Sequence, residues 1–448
     1  MQLRYPNFVV SINREMNTAK MDILVGLQWG DEGKGKFIDH ICPDYDIVAR
    51  FNGGANAGHT IFWKEQKVTL QLLPSGIFYP HIRNVIGTGT VIDPVQLKKE
   101  IEQLALSCPG LTFKERLLIS QKAHLVLPTD RYQDQYFENS DDYRTIGTTK
   151  NGIGCAYVHK LLRQGLRVTD IYNDDFADEV TKTIQREYRE LKEKGQEMLD
   201  FDEMMQNFLS GIDYLKQLSV IDTELFLNTA LKAGNRILAE GAQATLLDID
   251  HGSYPYVTSS NTIASAACVG LGVPPSKVGE IFGVLKAYAT RVGDGPFPSE
   301  LKDQQADELR IKGNEFGSNT GRPRRTGWLD LPALKYAVML NGVTQLIITK
   351  ADVLNGMETV ELCEQYEVNG ELQAVASTGK EFSTAVPQWK SFKGWEANFS
   401  AITSEKQLSQ ELRTYISFLS HALETPVSHL SIGPKREDII TLENRTEK

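Results

Sequence analysis

The chain has 448 residues, 41% of them apolar, and a formal charge of −10 at pH 7 from 48 Lys and Arg against 58 Asp and Glu. That balance disfavours a general nucleic-acid or anionic-membrane surface and makes any local basic cluster informative. The five cysteines (Cys42, Cys108, Cys155, Cys268 and Cys363) lack CxxC spacing and no run approaches the roughly 20 apolar residues of a membrane span, so disulfides, a zinc site and a transmembrane helix are all unexpected and a cytoplasmic location is expected.

Residues 1 to 20 mix Arg4, Pro6, Asn13, Arg14 and Glu15 without a secretory apolar core and read as an extension of unknown role, with Met21 a candidate initiator. MDILVGL at 21 to 27 predicts a buried strand, and the glycine-rich turn after it predicts a loop leading into a helix. Gly30, Asp31, Glu32, Gly33, Lys34, Gly35 and Lys36 match GxxxxGK, where backbone N–H groups at a helix start can receive phosphate. The Ser or Thr that would ligate Mg²⁺ is replaced by Phe37, and Asp31 is the obvious substitute. A turn without chemistry is the alternative reading of this segment.

DIVARF at 46 to 51 and NVIGT at 84 to 88 predict further strands, with an amphipathic helix over 94 to 106. Between them, FNGGANAGHT (51 to 60) sets Asn56 and His59 among small residues that let backbone approach a ligand, and His59 could donate a proton. A charged helical tract from about Asp174 to Leu218 is the nearest thing to an insertion. RILAEGA and GEIFGVLKAY predict returning strands. The loop joining them, 240 to 262, offers Gln243, Thr258 and Asn261, suited to a polar ligand or equally to a packed loop.

Residues 320 to 326, TGRPRRT, place three guanidinium groups in a glycine-flanked loop, a carboxylate or phosphate clamp if not a solvated basic loop. DLPALKYAVMLNG predicts a helix and QLIITKAD a buried strand. Its end, Thr349-Lys350-Ala351-Asp352, has the form [NT]KxD, in which aspartate accepts from guanine N1–H and the 2-amino group. Asn369-Gly370 predicts a hairpin between VELCEQYEV and ELQAVAS, and a last helix over 404 to 424 leads to VSHLSIGP. The alternation indicates an α/β fold, read as one domain over 21 to 448.

The set QWGDEGKGK, NAGHT, GTTKNGIG, EGAQATLLDIDHGSYPYVTSSNT, NEFGSNTGRPRRTGW, TKADVL and SIGP, in this order, resembles the adenylosuccinate synthetase family over about residues 21 to 440. The resemblance implies a large, mostly parallel central β-sheet flanked by helices, with P-loop-like ligand loops at the strand ends. It implies a GTP-dependent ligase that joins IMP to L-aspartate through 6-phosphoryl-IMP, with one Mg²⁺ per subunit.

By that resemblance Asp31 is the general base and a metal ligand, His59 the general acid, Lys34 and Gln243 further catalytic groups, and Gly58 a carbonyl ligand to the metal. Gly30 to Lys36, Gly58, His59, Thr60, Arg324, Lys350, Ala351, Asp352, Ser431, Ile432 and Gly433 match the GTP site. Asp31 to Lys34, Asn56, Ala57, Gly58, His59, Thr149, Gln243, Thr258 and Arg322 match the IMP site. Arg163 matches an arginine supplied by the partner subunit of a homodimer. Ser318, Asn319, Thr320, Gly321, Arg322, Pro323 and Arg324 match the aspartate site. Ala55, Cys155, Pro323 and Ile432 depart from the family pattern without removing a catalytic match. A phage-type synthetase using dGMP, or a catalytically inactive GTP-binding regulator, would be expected to lack groups such as Asp31, which is present. A P-loop kinase would carry Ser or Thr after Lys36.

Overall fold

Short runs such as IVAR, ILAE and QLIIT are apolar along almost their whole length, a pattern that suits strands covered on both faces. The computed structural model describes residues 19–64, 66–317, 321–376 and 379–443, so most of the 1 to 20 extension and the loop residues Ser318, Asn319 and Thr320 lie outside it. Ten strands form the central sheet: β1 (Met21–Gly26), β2 (Ile47–Arg50), β3 (Arg83–Ile86), β4 (Leu117–Ser120), β5 (Ser219–Ile221), β6 (Ile237–Glu240), β7 (Val278–Lys286), β8 (Gln345–Thr349), β9 (Val427–Ser431) and β10 (Ile439–Thr441). Their order is β10-β9-β8-β7-β1-β6-β2-β3-β4-β5, and every neighbouring pair is parallel except β9 with β10.

The order decides where a ligand can sit. After β1 the chain works outward to one edge, returns as β6 beside β1, then works outward to the other edge from β7. Strands therefore diverge around β1, and a crevice opens at their carboxyl ends. Register aligns those ends: Leu24 pairs with Glu240, Glu240 with Arg50, and Lys286 with Thr349. The loops that follow β1, β2, β6, β8 and β9 are the five that hold the predicted nucleotide motifs.

Helix α1 (Lys34–Ile41) buries Phe37 and Ile38 beneath this crevice. Helix α2 (Pro94–Ser107) starts where Asp93 accepts from the Val95 and Gln96 amides and Pro94 occupies the first turn. Helices α3 (Pro128–Asn139) and α4 (Ile153–Leu162) follow. The charged tract forms two helices, Phe176–Glu193 and Phe201–Leu215. It is no appendage: Val180, Ile184, Met204, Phe208 and Ile212 share an apolar core with Leu97 and Ile101 of α2.

Two boundaries differ from expectation. The last helix runs only over Gln410–Ala422, because Ser409 caps it by accepting from the Leu412 amide and a separate turn precedes it. The hairpin turn at Asn369 and Gly370 has φ of 54° and 83°, as a two-residue primed turn requires. Its second strand is short, Glu371–Gln373, and Thr359–Val368 pairs mainly with Val386–Lys393 instead. Among the described residues no helix is long and apolar enough to cross a membrane.

Candidate active site

One cavity of about 900 Å³ occupies the crevice at the strand ends. Its wall includes Gly30 to Lys36, Asn56 to Thr60, Thr149, Gln243, Thr258, Arg324, Lys350, Asp352, Ser431 and Gly433. Segments more than 300 residues apart in sequence thus converge: those after β1, β2, β6, β8 and β9 each follow a strand of one parallel sheet, whereas Thr149 and Arg324 reach the cavity from outside that sheet.

The phosphate loop is braced from within. Glu32 is fully buried; Oε1 accepts from the Gln28 and Gly30 amides at 3.2 and 2.9 Å, and Oε2 accepts from Lys34 Nζ at 2.7 Å. Its carboxylate holds the loop's shape instead of facing a ligand. Gly35 is glycine for a packing reason: a Cβ there would lie 2.8 Å from His59 Cβ and 3.2 Å from His59 Cα. The helix can approach the histidine strand only without a side chain at that point. Lys36, the lysine of GxxxxGK, donates to Ser431 Oγ, the Gly433 carbonyl and the Asp438 carbonyl at 2.7, 2.6 and 2.9 Å. It therefore ties the phosphate loop to the segment after β9. Burial lowers its pKa to about 8 against the opposing pull of Asp438 and Asp352.

Asp31 takes a left-handed backbone conformation, φ 60°, at the mouth of the loop. Its Oδ2 lies 2.7 Å from Arg324 Nε, an ion pair too bent to be a hydrogen bond, so the Nε–H still lacks an acceptor. Arg324 Nη1 donates to Glu315 Oε2 at 2.6 Å.

His59 sits on the other side of α1. Its Nδ1 lies 2.5 Å from Glu240 Oε1, and Glu240 also accepts from Ser75 N and Ser75 Oγ at 2.8 and 2.7 Å. An ionised carboxylate only accepts, so Nδ1 carries the proton and Nε2 is left for the cavity. Burial lowers the His59 pKa, with Glu240 opposing. Burial would raise Glu240, but the hydrogen bond and charge of His59, with Arg50, hold it below the usual carboxylate value. Glu240 was not singled out from the sequence, although a glutamate ending the apolar run ILAE must find a buried partner, which was the available signal.

The end that carries Gln243 presents the neutral groups of Asn56, Thr149 and Thr258 beside Asp134, Arg291 and Asp294. Gln243 has φ 59°, and both atoms of its side-chain amide are buried without a hydrogen-bond partner. Asn56 Nδ2 donates to Thr258 Oγ1 at 3.3 Å, and Asn56 Oδ1 accepts from the Gly54 amide. Thr149 rides on a loop anchored to α3: Asp134 accepts from Thr148 Oγ1 and the Gly152 amide, and Glu138 from the Ile146 and Gly147 amides. Arg291, also unforeseen, donates to Ser253 Oγ and to the Tyr256, Asp294 and Pro296 carbonyls, fixing the loop before Thr258.

At the opposite end Lys350, φ 63°, donates to the Gly313 carbonyl at 2.7 Å beside Asp352, whose pKa is raised by burial against Lys350. Among the described residues nine non-glycine residues have positive φ; four of them (Asp31, Arg163, Gln243 and Lys350) are candidate site residues and a fifth, Asn369, is the predicted hairpin turn. Such conformations cost about 1–3 kcal/mol each and persist where surrounding structure fixes them.

Some marked residues stand apart. Ala351 and Ile432 are buried behind the wall. Gly321, Arg322 and Pro323 are exposed and do not line the cavity, and Ser318 to Thr320 lie outside the described residues. Arg163 ends α4, exposed and outside the cavity wall.

The model for the family described as adenylosuccinate synthetase matches residues 23–440. The adenylosuccinate synthetase of Phocaeicola vulgatus is 48% identical over 433 residues, covering 96% of this chain and 100% of that one. That of Flavobacterium johnsoniae is 47% identical over 430 residues, covering 94% and 99%. Among solved structures, the fully ligated adenylosuccinate synthetase from Plasmodium falciparum superposes with a TM-score of 0.89 at 37% identity, over 95% of this chain and 100% of that one. A cyanophage S-2L succinoaminodeoxyadenylate synthetase bound to dGMP and dATP, at 19% identity and a TM-score of 0.60 over 96% and 97%, shares the fold. With the family match spanning almost the whole described chain and the same fold in the solved enzyme, this chain belongs to the adenylosuccinate synthetase family.

Proposed function

We propose that Asp31, His59, Lys34 and Gln243 divide the chemistry of one cavity. The reaction is that of the family: GTP, IMP and L-aspartate become GDP, phosphate and adenylosuccinate, by way of 6-phosphoryl-IMP, forming a C–N bond. Purine O6 is a poor leaving group, and phosphorylation turns it into one that the amine of aspartate can displace at C6.

Asp31 takes the N1 proton of IMP so that O6 can attack the γ-phosphate, His59 supports the phosphoryl group in transfer, and Lys34 lies against phosphate oxygens. Gln243 holds the purine: its unpaired, strained amide is a donor and acceptor waiting for a polar ring edge. Asn56, Thr149 and Thr258 complete the part of the IMP site inside the cavity, and Arg322, on the exposed loop outside the wall, joins them only when that loop folds in; Arg324 and its loop receive aspartate, and Lys350, Asp352 and Ser431 to Gly433 read guanine. Glu240 is a positioning residue that holds the Nδ1–H of His59 and favours its protonated form, in which a second proton on Nε2 is available to donate.

The family's Mg²⁺ fits this donor set. Among the described residues no cluster of three or more His, Cys, Asp and Glu side chains could cage an ion. Mg²⁺ commonly takes one or two protein oxygens and otherwise phosphate and water, a demand that the Asp31 carboxylate and Gly58 carbonyl can meet. When bound, it neutralises charge on the phosphate oxygens. We infer further that the enzyme is a cytoplasmic homodimer in which Arg163, exposed at the end of α4, serves the partner's IMP site.

The observation that carries the reading is Asp31 standing at the phosphate loop in the same cavity as the His59–Glu240 pair and the orphaned Gln243 amide. The test is adenylosuccinate formation, followed by absorbance, with omission of GTP, IMP, aspartate or Mg²⁺ in turn. Turnover needing all four is expected, and turnover with dGMP in place of IMP would overturn the substrate assignment. Mixing Asp31→Asn with Arg163→Leu subunits should regenerate one intact site per hybrid dimer. No recovery of activity, with subunit exchange shown by labelled chains, would refute the shared site.

A further inference from the structure

Glu315 is buried to 0% exposure just ahead of the arginine loop and touches more charge than any role assigned above explains. Its Oε1 accepts from Lys286 Nζ at 3.0 Å and from the Tyr288 hydroxyl, and lies 3.9 Å from Lys350 Nζ; its Oε2 accepts from Arg324 Nη1 at 2.6 Å. Arg324 in turn stands 2.7 Å from Asp31. Lys286, equally buried at 1% exposure, also donates to Thr290 Oγ1 at 2.6 Å, so it is fixed from two sides.

Three cations, Lys286, Arg324 and Lys350, therefore surround two carboxylates, Glu315 and Asp31. Asp352, whose carboxylate also interacts with Lys350, adds a third carboxylate at this end of the cavity, so an incoming anion is received by exchange for one already held. The cations hold the Glu315 carboxyl down to about 2 although burial, the largest single influence, would raise it, so it stays ionised.

We propose that Glu315 is a positioning residue for two substrates at once, the shared counter-ion that aims Arg324 at aspartate and Lys350 at the guanine nucleotide. With Nη1 anchored on Glu315, Arg324 can exchange Asp31 for a substrate anion without losing its place, which frees the base as the anion arrives. Lys350 shares the same carboxylate, so disturbing it moves both recognition groups together while Asn56, Gln243 and Thr258 are untouched. This rests on the assignment of Arg324 to aspartate and Lys350 to guanine.

The experiment is steady-state kinetics of the full chain carrying Glu315→Gln, which keeps size and acceptor but removes the charge. The expected result is a KM for aspartate and a KM for GTP each raised about tenfold, with the KM for IMP within about twofold, the scale of a lost charged hydrogen bond. A uniform loss across all three substrates, or no change in either raised KM, overturns the proposal. Arg324→Met and the double variant separate it from the reading beneath it. If Glu315 acts on aspartate through Arg324, the double variant has the aspartate KM of Arg324→Met alone; additive effects refute the coupling. An unchanged aspartate KM in Arg324→Met would instead sink the assignment of that arginine. Should Glu315→Gln fail to fold, Glu315→Asp, which keeps charge but shortens reach, is judged by the same split.

Discussion

The two ends of the cavity are built on opposite principles. Around the phosphate loop the side chains of Lys34, His59, Asp31 and Arg324 already have protein partners: Lys34 with Glu32, His59 with Glu240, Asp31 with Arg324, and Arg324 with Glu315. Around Gln243, by contrast, Asn56, Thr149 and Thr258 offer neutral groups, and the Gln243 side-chain amide has no protein partner. Charge buried without a partner costs far more than an unmet amide, so charged groups must be wired in advance whereas neutral ones can wait for the ligand. On the roles proposed above, the difference separates rate from recognition: the wired end is preorganised for developing charge, and the Gln243 end offers a purine an amide with no competing protein partner.

That contrast orders the expected effects. Asp31→Asn removes the proposed base and should lower kcat by about 10³, within the span general-base catalysis covers. Substrate KM values should move little, and a kcat within tenfold of the parent enzyme would break the contrast at its centre. Glu240→Gln removes the charge behind His59 but leaves hydrogen-bonding atoms for Ser75; kcat should fall about 10²-fold by stopped-flow or steady-state assay. Glu240→Ala should in addition destabilise the fold by about 3 kcal/mol in urea titration, because His59 and Ser75 lose a buried acceptor.

The purine end should respond in the reverse sense. Gln243→Gly should raise the KM for IMP about tenfold or more while making the free protein more stable by about 1 kcal/mol, since glycine adopts φ near 59° without strain. Calorimetry with and without IMP checks this: the variant should melt higher alone and lower than the parent when IMP is saturating for the parent. A variant less stable in both states would show that Gln243 is wired like its charged counterparts.

Much of this was legible in the chain. The strand-and-glycine punctuation located β1, β2, β6, β7 and β8, and the motifs after β1, β2, β6, β8 and β9 fell on one cavity because parallel strands end on one side. What could not be read was pairing at a distance. Nothing near Glu240, Glu315 or Arg291 in sequence names His59, Arg324 or the Tyr256 carbonyl as a partner, since such contacts follow from strand order and register. The direction of a side chain was equally hidden: Glu32 and Lys36 lie in a phosphate-binding pattern, yet one braces the loop and the other holds the segment after β9. The helix end at Gln410 was missed because the cap at Ser409 looks no different in sequence from Ser404.

Lys36 supplies the smallest and most specific test, because it is wired to two backbone carbonyls and a hydroxyl instead of to a carboxylate. Burial brings its pKa down from the ordinary lysine value to about 8, whereas in the unfolded chain it keeps its proton to about 10.5. Between those pH values the unfolded chain binds more protons, so on raising the pH from 8 to 10 this group makes the folded state more stable, and below pH 8 it has no pH dependence. Binding moves the other way. A neutral amine has fewer N–H groups for Ser431, Gly433 and Asp438, so the segment after β9, proposed above to read guanine, loosens and the KM for GTP should rise about threefold from pH 7 to pH 9 while the KM for IMP does not follow. Lys36→Met removes the titration, and with it the difference between the two KM profiles and one lysine's share of the stability slope. If the profiles for GTP and IMP run parallel in the parent enzyme, or keep their separation in Lys36→Met, the lysine is not the group that ties the phosphate loop to guanine recognition.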